Sequence, residues 1–172
     1  MTQELIDLRT CILEARYDDA LAIIDELEGM SKQATLRAIE SFLVRLLVHL
    51  IKNQIEQRLT TSWAASISDS LRQIKKLNLK DNKTSYYINF DEWQPFLEEA
   101  IEAAINPASV EVLNGKLKPP QLSDMVDRTQ VMMIAQKLLN LTYKHTAKDL
   151  PAIVNTNLGE LAGGLDWLET RE

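Results

Sequence analysis

Four polar side chains, Arg45, His49, Lys52 and Glu56, recur at steps of four, three and four residues, which on a helix sets them along one face. An arginine and a histidine four residues apart can hold a phosphate, and a histidine can exchange a proton near neutral pH. The same spacing suits a solvated face in which Arg45, Lys52 and Glu56 form a charge network with His49 at its edge. Because short motifs of this kind recur by chance, the solvated face is the favoured expectation.

Other side chains that invite chemistry have plainer uses. Trp63 could stack on a ligand, yet it opens an apolar stripe and is expected in the core. Glu40 falls at an angle inside an apolar arc; buried, it would need a cation such as Arg37 or one from another helix, and a gap in the arc or a place at its rim is the favoured expectation. Glu98, Glu99 and Glu102 could face a basic partner but fit the wet side of a helix. His145 has no ligand spacing to His49, and Met125, Met132 and Met133 read as adaptable core filler. Glycine-rich phosphate loops, nucleophile elbows and zinc-protease helices are absent from the sequence. The expectation is a protein with no catalytic residue, no metal and no cofactor, and a non-enzyme before an enzyme.

The elements that must position these residues are helices. Leu5, Leu8, Ile12 and Leu13 share one side of a first helix over residues 2–15. Arg16-Tyr17-Asp18 reads as a turn, and a second helix carries Ala20, Ile23, Ile24 and Leu27. Gly29 stands where a left-handed cap would close that helix, and Ser31 where the next would start. The third helix, 31–59, is apolar over well over half its circumference, through Leu36, Ile39, Phe42, Leu43, Leu46, Leu47 and Leu50, widened by Val44, Val48 and Ile51. It therefore needs neighbours on more than one side. Thr61 or Ser62 can cap a fourth helix to residue 77, with Trp63, Ile67, Leu71 and Ile74 inward, antiparallel to the third.

Residues 78–90 form a polar connection with a short β-prone patch at 84–88. Asp91 can cap a helix carrying Trp93, Phe96, Leu97, Ala100, Ile101, Ala104 and Ile105, which Pro107 ends or kinks. Asn114-Gly115 and Pro119-Pro120 read as a loop, and a helix over 127–144 turns Val131, Ile134, Ala135, Leu138, Leu141 and Thr142 inward. Asp149 and Pro151 start a short helix, and Leu165, Trp167 and Leu168 are placed to fasten the tail. The expected architecture is an all-α, up-and-down helical bundle around a long central helix, with short additional C-terminal helices. One domain over 1–172 is expected, with N-terminal helices to 77, a connection over 78–90 and C-terminal helices from 91.

A length of 172 residues suffices to bury a core without metals or disulfides. A net charge of -6 disfavours generic nucleic-acid binding, so no DNA is expected. The single cysteine, Cys11, points to a reducing compartment. The first residues lack a signal peptide, and the most apolar run, 42–51, is broken by Arg45 and His49. A cytoplasmic protein off the membrane is the expectation.

Arg45-Leu46-Leu47-Val48-His49-Leu50-Ile51-Lys52, then Ser62-Trp63-Ala64-Ala65-Ser66-Ile67, with Leu27-Glu28-Gly29-Met30-Ser31 before them, are similar to a bacterial family. It is domain of unknown function number twenty-nine, abundant in cyanobacteria. The resemblance covers about the first 77 residues well and the remainder loosely, with Asn53 standing where many members carry an aromatic. It implies an all-helical bundle and brings no activity, cofactor or substrate. The Arg45/His49 pair also invites comparison with HEPN ribonucleases, whose arginine-to-histidine spacing is longer.

Two functions follow as expectations. The first is a helical protein-interaction module binding itself, as a homodimer, or another protein, through Trp93, Phe96, Met132, Leu139 and Tyr143, whose helices offer more apolar faces than the tail can cover. The second is a ribonuclease-like or phosphate-binding protein using Arg45 and His49.

Overall fold

A computed structural model describes residues 2–169. Eight α-helices and one 3-10 turn account for the regular structure among these residues, and no strand is present. The chain forms two compact units divided between Arg37 and Ala38.

In the first unit, α1 (Gln3–Leu13) ends in a turn where Ala15 takes φ +56 and the Arg16 amide donates to the Cys11 carbonyl at 2.8 Å. This is the left-handed cap that glycine usually supplies. α2 (Tyr17–Glu56) begins at once, with Asp18 and Asp19 in its first turn, where the amide ends of the helix favour negative charge. Arg16 bridges Glu14 at 2.8 Å and Asp19 at 3.2 Å across the turn. Cys11 and Ala20 are buried and Leu8, Ile23 and Leu27 half-buried, so the two helices meet along one narrow stripe.

The expected break at Gly29 and Ser31 does not occur, because α2 runs straight through both. Gly29 is not at positive φ, and a glycine within a helix costs only about 1 kcal/mol, which helix formers on either side absorb.

The second unit is built on the remainder of α2, where Ile39, Leu43, Leu46, Leu47 and Ile51 are fully buried. α3 (Thr61–Asn78) lies antiparallel to it: Arg45 reaches Ser66 and Asp69, and Lys52 reaches Trp63. The cap is Thr60 rather than Thr61 or Ser62, its side chain accepting from the Trp63 amide at 3.1 Å. The β-prone patch yields a single bridge, Leu79 to Tyr86. Trp93, not Asp91, precedes α4 (Gln94–Glu111), which passes through Pro107 on an exposed face before a 3-10 turn, Val112–Gly115.

α5 (Pro119–Met125) forms where the sequence reads as loop, because Pro119 suits a first helical turn and Gln121 accepts from the Lys118 amide at 2.9 Å. α6 (Arg128–Lys144) is capped by Asp127, and α7 (Leu150–Leu158) starts at Asp149 with Pro151 in its first turn. α8 (Gly164–Glu169) follows Gly163, whose φ of +70 lets the chain pass where a Cβ would stand 2.8 Å from Arg58 Cα. Of the tail's apolar residues, Trp167 donates to Thr61 Oγ1 at 3.3 Å, whereas Leu165 and Leu168 stay exposed.

The irregular segment between α3 and α4 is held by one hydroxyl. Tyr143 accepts from Trp93 Nε1 at 2.7 Å and Asn78 Nδ2 at 3.1 Å and donates to the Ile88 carbonyl at 2.6 Å. Asn78 also pairs with both backbone groups of Ile88. Burial raises the Tyr143 phenol to about 12, so it keeps its proton. Tyr143→Phe leaves the Trp93 indole without its acceptor and is expected to lower unfolding free energy by about 1–3 kcal/mol in urea titrations, with helical content unchanged.

Candidate functional site

The four residues of the polar stripe occupy three environments. Arg45 is the exposed one, donating to Asp69 Oδ2 at 3.1 Å and Ser66 Oγ at 3.4 Å. Lys52, expected on a wet face, is only 5% exposed; its Nζ lies 3.6 Å from Glu111 Oε1 and 4.6 Å from the centre of the Trp63 ring. A buried ammonium needs such a carboxylate and such a ring face to offset lost hydration. Arg58 also lies over the Trp63 ring, at 4.7 Å. Trp63 is thus in the core, as its place on the stripe requires, and holds two cations rather than a ligand.

Glu56 fixes the turn after α4. One oxygen accepts from Arg58 at 3.1 Å and the other from the Leu113 amide at 3.4 Å. Leu113 and Asn114 sit at φ +49 and +57, before Gly115 at +77, a left-handed run that is costly for a leucine. Asn53, next to Lys52, is buried and donates to the Arg58 and Ala162 carbonyls at 3.0 and 2.8 Å.

His49 is half-buried between Arg45 and Lys52, and its Nδ1 is enclosed with no hydrogen-bond partner among the described residues. Burial, then the Lys52 charge, lowers its pKa from 6.5 to about 4, with Arg45 adding to the effect and Glu111 opposing it. At neutral pH it carries neither the charge to hold a phosphate nor the proton to act as an acid.

The expected interface residues are largely spent on the chain itself. Trp93 and Leu139 are fully buried, Tyr143 is the clasp described above, and Phe96 and Met132 are half-buried. α4 packs on α5 and α6, and Tyr143 holds the Trp93 indole, while Phe96 and Met132 keep part of their surface open beside the exposed Met133. Glu40 reaches the rim, in a small groove with Val44, Phe96 and Glu99. No group of three His, Cys, Asp or Glu side chains among the described residues could hold a metal ion. No helix there is long and apolar enough to cross a membrane.

Exposed apolar side chains are scattered singly through the second unit, at Phe90, Val110 and Met133 among others, but gather on two adjoining helices in the first. On α1, Leu5 and Ile12 form one row and Ile6 and Leu13 the next, all exposed. On α2, Tyr17 and Leu21 are 61% and 58% exposed and continue into Ile24 at steps of four and three. At about 100° per residue, the Leu5/Ile12 row and the Tyr17/Leu21/Ile24 row each stand about a quarter-turn from their helix's buried stripe, which in an antiparallel pair puts both on the same side. Sequence reading missed this face because a lone hairpin and a covered one have the same periodicity.

Residues 14–114, more than half of the chain, match the family model described as Domain of unknown function DUF29. No curated protein and no solved structure matches the chain. The match takes in the whole seam from Arg45 to Leu113 and leaves α1 outside.

Between pH 6.5 and about 4 the unfolded chain takes up a proton on His49 that the folded chain refuses, so acid favours unfolding in that window. Stability is expected to fall as pH drops from 7 to 5, and His49→Gln to flatten that slope. Urea midpoints at the two pH values test this, with NMR titration of His49 placing its pKa directly.

Proposed function

We propose that this chain, which belongs to the DUF29 family, is a non-enzymatic helical module that binds another protein chain, and that its docking element is the α1–α2 hairpin of the first unit. The observation that carries this reading is the mismatch between what the hairpin hides and what it exposes. Among its described residues only Cys11 and Ala20 are fully buried, while two adjoining helices turn large apolar side chains to water. A unit of under about 40 residues rarely holds a core of its own, and oligomerisation is one of the usual remedies. Contiguous apolar patches of several hundred Å² on a surface mark association sites.

The phosphate-binding alternative has less support. The Arg45 guanidinium is occupied by Asp69 and Ser66, and His49 is uncharged at neutral pH. Its side chain also lacks the free second nitrogen that a proton shuttle would need, since Nδ1 is enclosed.

Leu13→Glu with Leu21→Glu tests the docking element. Charges at exposed positions usually shift stability by no more than about 0.5 kcal/mol, so circular dichroism and the thermal midpoint are expected to stay near those of the unsubstituted chain. Association seen by light scattering across a concentration series, or by capture of a partner from cell extract, is expected to be lost. Association that survives the double substitution would remove the hairpin from the function.

A further inference from the structure

We infer that the occupant of the hairpin face is a second copy of this chain, stacked face to face about a two-fold axis parallel to the helices, so that α1 of each copy lies against α2 of the other. The inference rests on the reading of the hairpin as a docking element and adds the partner and its arrangement.

The two helices edge the shared apolar face with opposite charge. On α1 the edge is Arg9, which lies angularly between the Leu5/Ile12 and Ile6/Leu13 rows, is exposed, and makes no ion pair among the described residues. On α2 the edge is Asp25 and Glu28, with Asp18 just beyond, all exposed on the flank away from α1. The remaining charges near the turn are engaged, Arg16 with Glu14 and Asp19, and Asp7 accepts from Gln3.

Two copies can meet face to face about an axis in the contact plane in two ways. An axis across the helices sets α1 on α1 and α2 on α2, bringing Arg9 to Arg9 and carboxylates to carboxylates. An axis along the helices sets α1 on α2 twice, and each Arg9 then meets the acidic edge of the other copy. Like charges across an interface disfavour the first arrangement and opposite charges favour the second.

The heights also agree. Cys11 and Ala20 are the buried residues on either side of the turn; with these two at one level, Arg9, two residues below Cys11, stands level with about the second residue beyond Ala20. A rotation about an axis along the helices keeps that height. Arg9 of one copy therefore falls between Asp18 and Asp25 of the other, each within roughly 6 Å along the axis, inside the reach of an arginine side chain. Leu5, Ile12, Tyr17, Leu21 and Ile24 of both copies close between these edges into a four-helix core. A symmetric contact of this kind uses the same patch twice.

Sedimentation equilibrium of the full chain tests the arrangement, with Leu21→Glu, Arg9→Glu and the exchange Arg9→Glu with Asp25→Arg. The unsubstituted chain is expected to dimerise and Leu21→Glu to be monomeric with an unchanged circular dichroism spectrum. Arg9→Glu is expected to raise the dimer Kd roughly tenfold, and the exchange to restore most of it. A monomer at high micromolar concentration, a dimer indifferent to Leu21→Glu, or an Arg9→Glu dimer as tight as the original overturns the inference. If the chain is monomeric yet captures a different protein that Leu13→Glu with Leu21→Glu releases, the second-copy arrangement fails while the docking function stands.

Discussion

The second half of α2 carries apolar residues around so much of its circumference that no single neighbour can cover them, and the second unit is organised by that demand. Ile39, Leu43, Leu46, Leu47 and Ile51 are fully buried, and α3 lies against this helix along a face that includes Trp63 and Ile67. Burying one such side chain is worth about 1.5–3 kcal/mol, so the set outweighs any local preference of the segments that close over it. A leucine held at positive φ and a proline inside α4 are tolerated for this reason.

Closing so many faces forces polar groups inward, and the chain meets that cost with a few multidentate side chains. Tyr143 uses its hydroxyl as donor once and acceptor twice. Asn53 and Asn78 each tie backbone atoms of irregular segments that have no ladder of their own. Lys52 is stabilised by Glu111 and Trp63 together. Among the described residues Ser70 Oγ and His49 Nδ1 are left without a partner, and burial with the Lys52 charge keeps His49 neutral.

What could be read in the sequence was whatever depends on near neighbours. Helical periodicity located α3, α4 and α6, and Asp149 with Pro151 marked the start of α7. Gly29 was misread because a glycine signals a stop only where the chain has something to turn toward, and nothing lies within 4 Å of it. The inward turn of Lys52 was hidden because Glu111 is remote in sequence and a lysine's own neighbours do not disclose it. Trp93 looked available for the same reason, since its indole partner, Tyr143, stands far along the chain. The Arg45 stripe was legible as a stripe but not as a seam.

The burial of Cys11 gives the hairpin a built-in reporter. Its thiol is the only one in the chain and sits in the stripe where α1 meets α2. A thiol reagent reaches it only when the two helices part, so the labelling rate counts openings of this pair. Because no second cysteine contributes signal, local fraying of the hairpin can be timed against global unfolding, and anything that clamps the pair shut will register as protection of one sulfur atom.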